Sequence, residues 1–119
     1  MAELDAETLR LLDSTAEVDI ETSRGRRTIW VVVDGANAYI RSVRGGSGAW
    51  YRAVQREPDA RLHVDGRELR IRLTAVTEQA EIERVSAAID KKYRRRWPGP
   101  TDSMLRPEVL GTTLRVQAA

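Results

Sequence analysis

The sequence predicts a mainly β, α+β fold in which a six-stranded antiparallel barrel, closed or half-closed, carries helices at its periphery. Two hairpin signals, Asp34–Asn37 and Asp65–Gly66, connect neighbouring predicted strands. The predicted element order is α-β-β-β-α-β-β-α-β, which leaves too few crossovers for a doubly wound parallel sheet. With 119 residues, 41% of them apolar, the chain fits a single domain over residues 1–119.

The first predicted elements are a short helix and a strand. Asp5 can N-cap the helix, whose Leu9 and Leu12 then face the core. Residues 16–23 alternate apolar and polar side chains, which is the period of a half-buried strand. Each of the two elements therefore has one apolar face that the rest of the domain must cover.

The next segment predicts a turn followed by a hairpin. Residues 23–27 are rich in arginine and glycine and are interpreted as a turn. Residues 28–33 are β-branched and aromatic without alternation, which indicates a strand covered on both faces, with Trp30 in the core. After the turn at 34–37, residues 39–43 return as the partner strand.

The middle of the chain predicts a helix and a second hairpin. Residues 50–56 form a short helix that must end before Pro58, because proline cannot continue it. Residues 61–64 and 67–76 flank the Asp65–Gly66 turn as two strands.

The longest predicted helix covers residues 78–96, with Thr77 as its cap. Its core-facing stripe recurs at spacings of three and four residues: Ile82, Val85, Ile89 and Tyr93. Acidic residues in its first turns and basic residues in its last turn match the helix dipole. Pro98-Gly99-Pro100 ends the helix, and a loop leads to a final strand over residues 112–116.

Composition excludes several classes of function. The chain has no cysteine and only one histidine, His63, so we expect no metal site and interpret His63 as a solvated strand residue. A net charge of +2 argues against a nucleic-acid partner on electrostatic grounds. The longest apolar run, residues 29–33, is too short to cross a bilayer, and no secretory signal is evident, so we expect a cytoplasmic protein without membrane contact.

Residues 39–52 form the strongest candidate binding segment. Ser42 and Arg44 end a strand, Gly45 and Gly46 form a bend, and an aromatic pair, Trp50 and Tyr51, opens a helix. Glycines let backbone N–H groups approach an anion, and a helix N-terminus adds a positive dipole end. The segment thus suits a planar ligand with an anionic tail. The alternatives are a flexible hairpin exit for the glycines and core packing for the aromatic pair.

A second basic segment is the arginine-rich turn, in which Arg24, Arg26 and Arg27 surround Gly25. Arginine forks match the oxygens of phosphate and carboxylate groups, although an exposed, solvated turn is the alternative. The basic run at residues 91–96 could grip nucleic acid, but its position at a helix C-terminus explains it more simply. Acid–base candidates do not cluster, so a bound cofactor would have to supply any chemistry.

Three segments resemble a family of small uncharacterised bacterial proteins. They are Thr22–Trp30, Tyr39–Arg52 and Ile89–Tyr93, and the likeness extends over nearly the whole chain. The sequence is also similar to the wider split-barrel superfamily of oxidoreductases that depend on FMN or on the deazaflavin F420. The nitroreductase-like deazaflavin branch has a comparable basic turn, a strand that ends in serine plus a basic residue, and an aromatic pair that opens a helix.

The resemblance implies a six-stranded split barrel that forms a homodimer, with F420 or FMN at the subunit interface and a small-molecule substrate. The cofactor-binding residues that it implies are Arg24, Arg26, Arg27, Ser42, Arg44, Gly45, Gly46, Trp50 and Tyr51. Ala49 replaces a proline that the branch often has before the aromatic pair, and Val43–Arg44 replaces its usual lysine. Two hypotheses follow: a reductase of small molecules, or a cofactor-free binding module that kept the barrel without catalysis.

Overall fold

The computed structural model describes residues 3–119, which form one antiparallel sheet covered by helices. The strands are β1 (Val18–Thr22), β2 (Gly25–Ile29), β3 (Val32–Asp34), β4 (Asn37–Ile40), β5 (Asp59–Val64), β6 (Arg67–Ala75) and β7 (Leu114–Ala118). The helices are α1 (Ala6–Ser14), α2 (Ala49–Arg56), α3 (Gln79–Tyr93), α4 (Pro98–Met104) and α5 (Pro107–Leu110), with a 3-10 turn over Gly45–Ser47. None of the helices in residues 3–119 has the length and apolar character needed to cross a membrane.

The sheet curls because its two edges are consecutive in the chain. The strand order is β2-β1-β5-β6-β7-β4-β3, and each neighbouring pair is antiparallel. Only Trp30 and Val31 separate edge strand β2 from edge strand β3. Since a link of this length spans at most ~11 Å, the opposite edges must lie close together. The result is a half-barrel with helices around it, as the sequence predicts.

The sheet has seven strands, so the prediction of six is wrong. The predicted turn at 23–27 is shorter, because Gly25 already begins β2 with a positive φ of 98° and pairs with Thr22. The predicted strand at 28–33 breaks at Trp30. β2 is an exposed edge strand in which arginines replace the alternating apolar and polar pattern. Apolar residues stand on both sides of Trp30, so the sequence shows no sign that the strand breaks there.

The main core fills the inside of the half-barrel. Buried side chains of β1, β5, β6 and β7 meet Leu12 of α1 and the apolar face of α2 there. Asp5 caps α1 as predicted, since its Oδ1 accepts a hydrogen bond from the Thr8 backbone N–H at 2.7 Å. In the β5–β6 hairpin, Asp65 and Gly66 both have a positive φ, as the predicted two-residue turn requires.

A second core lies under α3 on the other face of the sheet, where Val32 and Tyr39 pack against the helix. The four residues of the predicted stripe on α3 are all buried. The helix starts after Glu78, not after the predicted Thr77 cap, and it ends at Tyr93 instead of Arg96. The predicted loop after Trp97 contains α4 and α5, each opened by a proline whose fixed φ suits the first helical position.

Candidate functional site

A cavity of about 480 Å³ opens where the end of β2, the glycine bend and the start of α2 meet α4. This volume lies in the range that small-molecule pockets commonly have, ~300–1,000 Å³. Of the residues predicted to bind a cofactor, four line it: Arg27, Ser42, Arg44 and Trp50. The structure thus brings the basic turn and the glycine bend together at one cavity, from segments that are 15 or more residues apart in the chain.

The remaining predicted residues lie around this cavity or away from it. Arg24 lines a second cavity of about 300 Å³ that shares Ser47 and Ala49 with the first. Arg26 points to the outer face of the sheet, where its Nη2 lies 3.3 Å from Oδ2 of Asp19. Successive side chains of a strand alternate in direction, so Arg26 and Arg27 of β2 cannot share a face. The walls of the first cavity do not include Gly45, Gly46 and Tyr51.

The glycine bend is a closed hydrogen-bonded turn and not a flexible exit. The Gly45 backbone N–H donates to Ser42 O at 2.9 Å, and the Ser42 hydroxyl donates to Gly45 O at 2.8 Å. Gly45 has a φ of +64°, which favours glycine. The N–H of Gly45 is therefore engaged within the turn, and this glycine shapes the bend without offering a free donor.

Gly48 is a further residue of the site that the sequence interpretation missed. It lines the cavity and N-caps α2 without a side-chain hydrogen bond. A Cβ at this position would lie 2.4 Å from the Ser42 Oγ, so a side chain would push the serine out of its turn. The signal was present, because Gly48 is the third glycine of Gly45-Gly46-Ser47-Gly48 and stands just before the helix. The cap leaves the positive end of the α2 dipole at the cavity.

Arg41 is the second residue that the sequence interpretation missed. The residue lines the cavity, yet it is only 1% exposed. Its guanidinium donates to Thr113 Oγ1 at 2.8 Å, Met104 O at 3.1 Å and Ile82 O at 2.9 Å. No carboxylate of residues 3–119 pairs with it, and burial lowers the pKa of Arg41 to about 10. A buried charge that only neutral groups contact adds a positive potential near the cavity.

Aromatic rings border the cavity on two sides. Trp30 is half-buried, as part of the second core, and also faces the cavity. Its ring stacks on Tyr93 with a centroid separation of 3.9 Å. Trp50 is 8% exposed and contacts the Tyr51 ring edge to face, with centroids 6.2 Å apart. Core packing and a place at the cavity therefore both hold for Trp50, whereas Tyr51 packs in the core and does not line the cavity.

The Tyr93 hydroxyl and the Lys92 ammonium hold the backbone behind Trp30. Tyr93 donates to Ala16 O at 2.6 Å, and Lys92 Nζ donates to Leu12 O at 2.9 Å and to Val31 O at 2.7 Å. Burial lowers the pKa of Lys92 to about 8 and raises the pKa of Tyr93 to about 12. These contacts fix the link between the two sheet edges and hence the ring that borders the cavity.

Two other predicted features lie away from the cavity. His63 does point away from its buried neighbours, but it has a partner, because its Nε2 lies 2.7 Å from Glu21 Oε1. That contact lowers the pKa of Glu21. In the basic run at 91–96, Arg94 pairs with Asp90 and Asp102, and Arg96 stacks on Trp97. Local contacts thus account for much of that run.

The curled antiparallel half-barrel with helices around it resembles the fold of the split-barrel proteins. The family model described as "Uncharacterized protein conserved in bacteria (DUF2255)" matches residues 5–116, and the chain belongs to this family. No curated protein matches the sequence.

Solved structures resemble the chain in fold. An F420-H2 dependent reductase has 14% identity and a TM-score of 0.59 over 86% of this chain and 94% of its own. A FAD-binding protein from Mesorhizobium loti has 15% identity and a TM-score of 0.62 over 98% of this chain and 91% of its own. A domain-swapped dimer has 16% identity and a TM-score of 0.60 over 93% of this chain and 94% of its own. At these identities the likeness shows the fold alone.

Proposed function

We propose that the chain binds a flavin-type cofactor, F420 or FMN, in the 480 Å³ cavity and acts as a reductase of small molecules. The observation that carries the proposal is the position of Arg41, Arg27 and Arg44 around the start of α2, with Trp30 and Trp50 beside them. Cationic groups and a helix N-terminus suit an anionic tail, and flat rings suit a planar cofactor.

The donor set of the cavity fits such a cofactor. The charge of Arg41 has only neutral partners within residues 3–119, and Gly48 adds no side chain to the cavity wall at the start of α2. Arg27, Arg44 and the start of α2 would hold the anionic tail, while Trp30 and Trp50 would border the ring. The bound cofactor would supply hydride transfer, and the chain would bind and orient it and exclude water from one side.

We also propose that the chain forms a homodimer with the cofactor at its interface. Val43 lines the cavity and is the large apolar side chain that is most exposed in residues 3–119, at 45%. A partner subunit that covers Val43 would close the cavity. The domain-swapped dimer among the similar structures supports this arrangement. The mass in solution should be twice the 13.4 kDa of the chain, and a monomer that binds cofactor with full affinity would contradict it.

A titration of purified protein with FMN, FAD, F420 and riboflavin, followed by fluorescence, tests the proposal. We expect saturable binding of at least one phosphate-bearing cofactor and weaker binding of riboflavin, which has no phosphate. Arg44→Ala should lower the affinity by roughly 10-fold, because a charge-assisted hydrogen bond contributes ~1.5–3 kcal/mol. Arg95→Ala removes an exposed arginine that lines neither the first cavity nor the second and should leave the affinity unchanged.

The second candidate function is a cofactor-free binding module. It is favoured by the acid–base content of the cavity, since Glu17 is the one carboxylate among its lining residues and no histidine lines it. A colourless protein that binds none of the four compounds, and an Arg44→Ala variant equal to wild type, would support the module and contradict the reductase.

A further inference from the structure

The second cavity, about 300 Å³ in volume, continues the first one along the outer side of α2. The two cavities share Ser47 and Ala49, so the start of α2 is their common wall. Arg24 contributes from the turn between β1 and β2, and Arg52 and Arg56 contribute from the helix. Three guanidiniums from two separate elements thus converge on a space that the first cavity does not contain.

The spacing on α2 places the cations in a row. Ala49, Arg52, Ala53 and Arg56 follow the i, i+3, i+4, i+7 pattern of one helix face. The two alanines are small, and both line the second cavity between the arginines. At 1.5 Å per residue, Arg56 lies ~10 Å along the axis from the helix start. The row therefore extends from the start of α2 to a point that a single phosphate bound at that start cannot reach.

No ion pair within residues 3–119 neutralises the charge of this row. Arg24, Arg52 and Arg56 have no carboxylate within 4.0 Å in the described residues 3–119. Glu57 is the one acidic residue among the lining residues of the second cavity. Two arginines four residues apart on a helix repel each other, so without a ligand the row destabilises α2. A bound anion would remove that repulsion.

We propose that the second cavity binds the second anionic group of an extended ligand, whose first anionic group binds at the start of α2. The ligand class is a cofactor with a chain-like tail that carries anionic groups over about 10 Å, whether carboxylates or phosphates. The extended ligand rests on the function proposed above, whereas the anion-binding cavity stands on its own lining residues. A cofactor with one phosphate fills only the first cavity and leaves the row on α2 without a partner.

The experiment measures by fluorescence titration how wild type and two double variants bind cofactors that have different tails. FMN carries one phosphate, FAD a diphosphate with a neutral nucleoside beyond it, and F420 a phosphate followed by glutamate carboxylates. Arg52→Ala/Arg56→Ala removes the row, and Lys91→Ala/Arg95→Ala is the matched control, with two exposed cations four residues apart at the end of α3. Alanine favours helix, so both variants should keep the fold.

In Arg52→Ala/Arg56→Ala we expect the affinity for a tail-bearing cofactor to fall at least 10-fold, and the affinity for FMN to stay within twofold of wild type. A loss for F420 alone assigns the cavity to carboxylates, and a loss for FAD assigns it to phosphates. The control variant should match wild type for every cofactor. Equal losses for FMN and for the tail-bearing cofactors, or no loss for any cofactor that binds, would overturn the proposal.

Thermal unfolding with inorganic tripolyphosphate separates this proposal from the proposed function. Wild type and the control variant should gain a saturable increase in Tm, and Arg52→Ala/Arg56→Ala should lose most of it. If no flavin or deazaflavin binds and this difference persists, the cofactor function is wrong and the second anion site stands. If the three proteins respond alike to tripolyphosphate, the second cavity is not an anion site.

Discussion

The arginines of the two cavities and the arginines of the outer sheet face have different partners, although the residue type is the same. On the outer face, Arg26 lies 3.3 Å from Asp19 and Arg72 lies 2.9 Å from Asp59. None of the six arginines that line the cavities pairs with a carboxylate of residues 3–119, whereas seven of the other twelve do. The chain has eighteen arginines and two lysines, so an arginine alone says little here. The missing partner is the informative feature.

Two inward-facing arginines show the same contrast. Arg115 donates to both carboxylate oxygens of Glu81 at 2.8 Å, and Glu81 also accepts from the Tyr39 hydroxyl at 2.6 Å. The hydrogen bond to Glu81 raises the pKa of Arg115, whereas burial lowers the pKa of Arg41 to about 10. The first arginine holds α3 to the sheet within a neutralised network. The second is a positive charge that no carboxylate of residues 3–119 neutralises.

The largest effect should come from Arg41→Ala. The variant loses a buried side chain and leaves Ile82 O, Met104 O and Thr113 Oγ1 without their donor. We expect the free energy of unfolding in urea to fall by about 4 kcal/mol. Arg44→Ala removes an exposed arginine of the same cavity and should change it by less than ~0.5 kcal/mol. Equal stability of the two variants would mean that Arg41 does not hold β4, α3 and α4 together.

Glu81→Gln tests how much the ion pair between Arg115 and Glu81 stabilises the fold. The substitution keeps the shape of the side chain but removes the charge that Arg115 needs, so we expect a loss of about 3 kcal/mol at pH 7 in urea unfolding. The hydrogen bond from Arg115 lowers the pKa of Glu81 below its usual 4.5. Wild type should therefore hold this stability above pH 4.5 and lose it as the pH falls further, whereas the variant should lack that part of the acid transition. Parallel acid titrations of the two proteins would contradict the prediction.

The fold could be predicted from the sequence where one local pattern decides it. The alternation in residues 16–23, the Asp65–Gly66 turn and the stripe on α3 each predicted the element that the structure contains. The break at Trp30 could not be predicted, because Ile29 and Val32 are both buried, each in a different edge strand. Curling of the sheet, a property of the whole chain, decides where that strand stops.

The candidate site was predictable only in part. Ser42, Arg44 and Trp50 carry local signals, and the structure brings them to one cavity beside the glycine bend. Arg41 carries no such signal, since its acceptors come from α3, α4 and the start of β7. From the sequence alone, an arginine in a predicted strand is expected to be exposed. Only the positions of α3 and α4 show that Arg41 is buried. Contacts between distant segments therefore decide which arginine of the Tyr39–Arg44 stretch belongs inside.

A smaller effect concerns Lys92, whose ammonium donates to two backbone carbonyl groups, those of Leu12 and Val31. Burial lowers its pKa from 10.5 to about 8, so between these values the unfolded chain binds more protons than the folded protein. The free energy of unfolding should thus rise by about 1 kcal/mol from pH 8 to pH 10, allowing for partial exposure. Lys92→Met should remove this rise, and urea unfolding at both pH values measures it. A wild-type profile that falls over this interval would contradict the assignment.

The smallest effect on stability, and the sharpest form of the comparison, comes from the neighbours Arg26 and Arg27. Both are exposed on β2, so Arg26→Ala and Arg27→Ala should each change the free energy of unfolding by less than ~0.5 kcal/mol. Only Arg27 lines the first cavity, so Arg27→Ala alone should lower cofactor affinity, by roughly 10-fold. Both variants carry the same net charge, and this removes general electrostatic attraction as an explanation. Equal losses of affinity would mean that charge, and not its position on the strand, controls binding.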